Sequence, residues 1–210
     1  FTLFLSMICL LSLSAEARKT WDFAGKGFSA ATLELLAADT ENWTPNLAEN
    51  NNRFKNAVQM SGELQVAGQV IPETAELYFG KLGAGKLNID FGYTPARVML
   101  NGKDLTFTIK GLVAGQQIAI ETMTANTSSE RGIVCSTNNA TRIGGEEISL
   151  EPQINIFVVN EDVTDSVDVT FKTVNGGIHI RSIIVDNGDE EGGNMESLKI
   201  AYLYQSTYSS

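Results

Sequence analysis

The stretch Gly176-Gly177-Ile178-His179-Ile180-Arg181-Ser182-Ile183-Ile184-Val185-Asp186 decides the fold. Two glycines open it, β-branched residues fill it, and an acidic, glycine-containing segment follows. That composition predicts a long buried strand closing a β-domain. Successive side chains of a strand point to opposite faces, so Ile178 and Ile180 share one side while His179 and Arg181 share the other. At Ser182 the phase breaks: in regular pairing Ile183 and Val185 continue the His179 side and Ile184 the Ile178 side. Two arrangements resolve this. Either a β-bulge near Arg181-Ser182 rephases the strand, or its second half is buried on both faces. Burial on both faces needs a cover, and the predicted helix over Ala30–Ala38 is the one available. In both cases the end of this strand is where the N-terminal segment is expected to dock, with Ile183, Ile184 and Val185 buried.

Working outward, the same pattern recurs. Lys19–Phe23 alternates large and polar residues as a short first strand. Ser29 is placed to cap a helix over Ala30–Ala38, with Leu33, Leu36 and Ala37 on its apolar face. Asp39–Asn52, containing Trp43 and Pro45, reads as a long loop. Strands are predicted over Ala57–Val66, Ala75–Phe79, Lys86–Phe91, Arg97–Leu100, Leu105–Ile109, Gln116–Ala125, Gly132–Ser136, Asn155–Asn160 and Val167–Thr173. Asn101-Gly102 between two of them is a tight-hairpin signal. Roughly ten short strands at close spacing, with Gly, Asn and Asp in the turns and one short N-terminal helix, predict an all-β, jelly-roll-like β-sandwich.

The ends read differently. Phe1–Leu13 is almost wholly apolar, and Ala15 and Ala17 have the small-x-small spacing that signal peptidase needs. A run of about a dozen apolar residues is short of the roughly 20 that span a bilayer. Residues 1–17 are therefore expected to be a signal peptide without its basic start, and residues 18–186 the sandwich domain. Residues 187–197 have the composition of an acidic, Gly-rich linker. The apolar run within 198–210 is expected to be the first strand of a truncated second domain. These features predict a secreted, periplasmic or cell-surface protein with no transmembrane segment after cleavage.

The net charge of −10 disfavours nucleic acid, whose phosphate backbone repels an acidic domain. Of the two cysteines, Cys9 falls in the expected signal peptide, so Cys135 has no intramolecular partner and reads as a small buried hydrophobe.

Scattered stretches carry a resemblance. They are Thr20-Trp21-Asp22-Phe23, Lys26-Gly27-Phe28-Ser29, Asn42-Trp43, Pro95-Ala96-Arg97, Leu100-Asn101-Gly102, Met123-Thr124-Ala125-Asn126, Arg131-Gly132-Ile133 and Gly176–Ile180. Together, over roughly Thr20 to Val185, they resemble a domain found near the start of secreted proteins of Gram-negative gut bacteria. Such proteins often contain pectate-lyase-like or other glycan-related modules. The resemblance implies a jelly-roll sandwich like those of carbohydrate-binding modules, with a further domain downstream, and it brings no catalytic signature.

Chemistry in the residues themselves is sparse. A single His leaves no His-rich metal site, and His179, mid-strand beside Arg181, reads as a strand-surface or satisfied core side chain rather than a general base. Adjacent acids such as Glu146-Glu147 point opposite ways on extended chain and form no acid/base pair. Sugar binding needs aromatic faces and planar polar side chains. The candidates are Trp43, Tyr78 and Tyr93, with Asn126, Arg131, Asn138 and Arg142 in loops flanking the Cys135 strand. Asp22 and Asp186 could hold a structural Ca²⁺ if the first and last strands bring them together. The leading expectation is a non-catalytic binding module for a polysaccharide or glycan. The alternatives are a structural or adhesion spacer, and a jelly-roll lyase or hydrolase.

Overall fold

A computed structural model of the chain describes residues 19–47, 52–57, 61–80, 87–93, 95–127, 130–145 and 148–186. The expected signal peptide (1–17), linker (187–197) and second-domain strand (198–210) lie outside the described residues.

Fifteen strands form among the described residues: β1 (Lys19–Asp22), β2 (Trp43–Asn46), β3 (Arg53–Asn56), β4 (Gln65–Val66), β5 (Gln69–Val70), β6 (Leu77–Phe79), β7 (Leu87–Asp90), β8 (Arg97–Leu100), β9 (Thr106–Leu112), β10 (Gln117–Thr124), β11 (Ile133–Cys135), β12 (Ala140–Gly144), β13 (Gln153–Val159), β14 (Val167–Thr173) and β15 (Ile178–Asp186). Helices are α1 (Phe23–Lys26) and α2 (Ala30–Ala38), with a 3₁₀ turn at Pro72–Thr74.

The strands build an all-β, jelly-roll-like sandwich. Its large antiparallel sheet runs β12-β13-β10-β15-β8-β7-β3-β2, with β1 also on β15. The second sheet runs β11-β14-β9-β6, and β4-β5 form a small hairpin. From β8 onward the chain crosses repeatedly between the two sheets, so strands adjacent in sequence are seldom hydrogen-bonded neighbours. Between them lies one core. Phe107 stacks on Phe171 at 5.2 Å, and Phe157 meets Phe171 edge-on at 4.9 Å. From the large sheet, Phe54, Ile89, Val98, Leu100, Ile118 and Ile120 point into it.

The closing strand β15 is the spine. One edge pairs with β10 throughout. The other pairs with β8 at Ile178–Ile180 and with β1 at Ser182–Val185. The register against β10 slips by one: Glu121 faces Ser182 and Thr122 faces Ile180, which leaves Arg181 as the extra residue. This is the rephasing bulge. It returns Ile183 and Val185 to the core side with Ile178 and Ile180, all buried, and turns Ile184 outward onto Ala119 and Ile154. The N-terminal segment does dock here, since Trp21 pairs with Ile183 and Lys19 with Val185. At the head of the strand the two glycines are sterically required. A Cβ on Gly176 would lie 2.6 Å from the backbone N of Gly102, and Gly177 has φ +81°.

Several local expectations are corrected. The expected cover, α2, packs against β2 instead, and it is the one-turn α1 that packs on β15. Ser29 caps α2 as its spacing predicts, accepting from the Thr32 N–H. The buried face of that helix, however, is Thr32 with Leu36, while Ala37 is exposed, because Thr32 donates its hydroxyl proton to the Glu73 carboxylate. The Asp39–Asn52 loop contains β2, which pairs with β3. The segment around Asn138–Arg142, read as loop, supplies β12. Asn101-Gly102 does not close a hairpin: β8 and β9 lie in different sheets, and the turn carries the chain across the sandwich.

Candidate functional site

The outward face of the large sheet carries an unusual row of side chains. Residues alternate, so with Ile89, Val98, Leu100, Ile178 and Ile180 pointing into the core, their neighbours Asn88, Asp90, Arg97, Met99 and His179 point away from it. Cross-strand register then aligns them. Lys55, Asn88, Met99, His179 and Met123 form one row across β3, β7, β8, β15 and β10, and Arg53, Asp90 and Arg97 form the row beside it. The bulge brings Arg181 to Glu121, Nε to Oε2, at 3.1 Å.

These groups are deeply placed. Asp90 is 0% exposed, His179 2% and Arg97 9%. The Arg53 guanidinium lies 3.2 Å from Asp90 Oδ1, and His179 Nδ1 is 3.6 Å from Asp90 Oδ2. The His179–Asp90 approach is too long for a hydrogen bond, and it is no ion pair either. Burial first, then the nearby cations Arg97, Arg53 and Arg131, hold the imidazole neutral and push its pKa down to about 3. Burial also raises the Asp90 carboxyl, against the opposing pull of Arg53 and Arg97. Desolvation likewise lowers Arg97, with Asp90 pulling the other way. Neither ring nitrogen of His179 and neither oxygen of Asp90 makes a hydrogen bond, nor does Asn88 Oδ1. Buried polar atoms in folded proteins are almost always paired, so such a concentration of exceptions in one spot makes this the candidate site.

Over this floor sit partly exposed groups. Tyr93 stacks on the Arg97 guanidinium at 3.7 Å and meets the His179 ring edge-on at 6.5 Å. Its hydroxyl accepts from Arg53 Nη2 at 3.5 Å. Arg131 donates to Thr124 Oγ1 at 2.7 Å and to the Gly177 carbonyl at 3.3 Å, which fixes it beside the start of β15.

Of the residues expected from sequence, Tyr93 belongs to this strip, while Arg131, just before β11 of the second sheet, bonds Thr124, whose register partner Ile178 faces the core. Asn126 lies next to Arg131, sharing Thr124 as a hydrogen-bond partner. The others go elsewhere. Trp43 is fully buried and donates its indole N–H to the Gln65 carbonyl at 2.8 Å, so its faces are packed in the core. Tyr78 lies on the outer side of the second sheet with Lys110 Nζ 3.8 Å above its ring. Asn138 is a turn residue with φ +58°. Arg142 ties strands together, donating to the Asn155 side chain and the Ile133 carbonyl.

Asp22 and Asp186 do not meet, although β1 and β15 pair. The pairing is antiparallel and puts Asp22 opposite Ser182, four residues or about 13 Å of extended chain from Asp186. Asp22 instead caps α1 by accepting from the Gly25 N–H at 2.7 Å. Among the described residues no group of three or more His, Cys, Asp or Glu is placed to hold a metal ion. No described helix is long and apolar enough to cross a membrane.

A cleft of about 340 Å³ opens elsewhere, lined by Trp21, Phe23, Pro72 and charged groups of β1 and the 3₁₀ turn. Several of its polar groups are already matched: Lys19 with Glu76 at 3.4 Å, and Glu73 with the Ser29 N–H and the Thr32 hydroxyl. It therefore reads as the seam where the N-terminal segment closes the fold.

Sequence reasoning missed Arg53, Asp90, Arg97, Arg181 and Glu121 and discounted His179. The available signal was polar residues at the off-phase positions of otherwise buried strands, as in Asn88/Asp90 and His179/Arg181. Compared with known proteins, the chain matches no family model and no curated protein.

Proposed function

We propose that this chain is a non-catalytic carbohydrate-binding module of a secreted or surface protein, with the outward face of the large sheet as its binding face. The observation that carries the reading is the strip itself. An aromatic ring, Tyr93, and planar polar groups, Arg53 and Arg181, sit partly exposed over buried Asp90, His179 and Arg97. Sugars are held by aromatic faces on their C–H surfaces and by planar side chains that reach pairs of hydroxyls. Side chains held from beneath lose little further entropy on binding, which favours recognition. His179, held neutral and without a hydrogen-bonded partner to orient it, lacks the base–orienter pair that nucleophilic catalysis needs. Secretion rests on the apolar run of Phe1–Leu13 with Ala15 and Ala17, and the kinship with modules of gut-bacterial glycan-related proteins belongs to the same proposal.

The competing reading is a spacer module, and full burial of Trp43 favours it, since its ring offers no face to a ligand. Affinity electrophoresis and a glycan array on the purified chain separate the two. A binding module is retarded by at least one polysaccharide, and Tyr93→Ala abolishes the retardation while leaving the circular dichroism spectrum intact. No retention by any neutral, uronate-containing or sulfated glycan would sink the binding reading in favour of the spacer.

A further inference from the structure

We infer that the rear of the large sheet's outward face, around Ile184, is the docking surface for residues 198–204 of this same chain. This stands apart from the glycan-binding reading, which concerns the front half of that face.

The observation is a row of positions pointing away from the core. Thr20 pairs with Ile184, Ile184 with Ala119, Ala119 with Ile156, and Ile156 with Gly144. Their strand neighbours Trp21, Val185, Ile118 and Phe157 all lie in the core, so the row itself faces outward. The outer face of an antiparallel sandwich sheet is ordinarily solvated and polar. Here Ile184 and Ile156 are only 1% exposed and Ala119 0%. Their partners in the row are too small to shield them. Each isoleucine has Ala119 on one side; on the other, Ile156 has a glycine, and Ile184 has Thr20, which is itself exposed. The two described helices lie elsewhere. α2 packs against β2 at the far edge of the sheet. α1 starts after Asp22, opposite Ser182, and reaches β8, which places it toward the front half. Burial this complete needs an apolar layer over the row.

The chain carries such a layer. Residues 198–204 read Leu-Lys-Ile-Ala-Tyr-Leu-Tyr. In extended form Leu198, Ile200, Tyr202 and Tyr204 share one side, suited to an apolar face, and Lys199 takes the other. The run is also tethered to the patch. β15 ends at Asp186, just past Ile184, and residues 187–197 form a glycine-containing connection with a mean reach of about 18 Å. From Ile184 to Ile156 the row crosses two strand spacings, or about 10 Å. The tether therefore spans the patch and holds the run there at a roughly millimolar effective concentration, an advantage that a second copy of the chain lacks. The other apolar run, Phe1–Leu13, leaves with the expected signal peptide.

The test is amide hydrogen exchange, read by mass spectrometry on the chain from residue 18 to 210, with sedimentation velocity at the same concentration. In a monomer, amides of residues 198–204 are expected to exchange about tenfold or more slowly than those of residues 187–197. Ile184→Glu is expected to abolish that protection. The double variant Leu198→Asp, Ile200→Asp changes only the docking run, so it keeps the test open should Ile184→Glu fail to fold. It is expected to raise the fluorescence of the apolar dye ANS several-fold over the parent, with an unchanged circular dichroism spectrum, as the rear face is bared. Exchange at 198–204 as fast as at 187–197 overturns the inference. Protection that survives Ile184→Glu, or unchanged dye binding in the double variant, overturns the assignment of this face. Protection seen only where the chain sediments as a dimer overturns it in favour of a second copy.

Discussion

The two halves of β15 have the same inner face and opposite outer faces. From Ile178 to Arg181 the outward side holds a neutral imidazole and a guanidinium among charged neighbours from β7, β8 and β10. From Ser182 to Val185 the outward residue is Ile184, packed on Ala119 and Ile154. Inward, Ile178, Ile180, Ile183 and Val185 are all buried in one core. A single extra residue, Arg181, permits this. Without the bulge, strict alternation would put Ser182 and Ile184 on the inner face and turn Ile183 and Val185 outward. The difference teaches that one strand can keep an apolar inner face while its outer face changes from polar to apolar when a bulge resets its phase.

The comparison can be broken at its apolar end first. Ile183→Ala is expected to cost about 4 kcal/mol, because the site lies between β1 and β10 with no room to collapse. Chemical denaturation reads this directly, and a loss under 1 kcal/mol would mean the rear half is not part of the closed core. At the polar end, Asp90→Ala removes the carboxylate that faces Arg53 and Arg97 and is expected to destabilise by about 3 kcal/mol. Asp90→Ala should also lower glycan affinity, whereas Ile183→Ala should not, provided measurements are made well below its unfolding midpoint.

Acidity separates the halves more finely. In the folded chain His179 has its pKa pushed down to about 3, whereas the unfolded imidazole titrates near 6.5. Below 6.5 the unfolded state takes up a proton that the native state refuses, so stability is lost as pH falls from 6.5 toward 3, with a slope approaching about 1.4 kcal/mol per pH unit. Asp90 works in the opposite sense, since its raised carboxyl favours the protonated native state at low pH. His179→Gln isolates the imidazole: its thermal midpoint should vary less between pH 6.5 and 4.5 than that of the parent. Identical pH profiles would show that His179 does not carry the dependence. The smallest effect belongs to the seam beside the rear half. Lys19→Ala removes the solvent-exposed pair with Glu76 and should change stability by under about 0.5 kcal/mol, as equilibrium unfolding will show.

Much of the fold was readable along the chain because burial of alternate residues is written in each strand separately. The break at Ser182 announced a bulge, Ser29 announced a helix cap, and the apolar run after Arg181 announced buried closure. Sheet membership was not readable. Asn101-Gly102 has hairpin composition, but the choice between hairpin and crossover rests on what Leu100 and Thr106 meet, which are residues distant in sequence. The candidate site was less legible still. Tyr93 and Arg131 were singled out as residue types suited to sugars, while Asp90, Arg97 and Arg181 looked like ordinary off-phase polar residues. Trp43, by composition the best sugar platform, went to the core because its indole N–H found the Gln65 carbonyl.

The sequence by itself determined that this is an all-β sandwich closed by Ile178–Asp186, because periodicity and turn chemistry act over a few residues. Only the tertiary structure decided that His179 is a buried, neutral member of a charged strip. Its neighbours Asp90, Arg97, Met123 and Glu121 come from three other strands. Register between strands is set by the packing of the whole core, and no local stretch of the chain contains it.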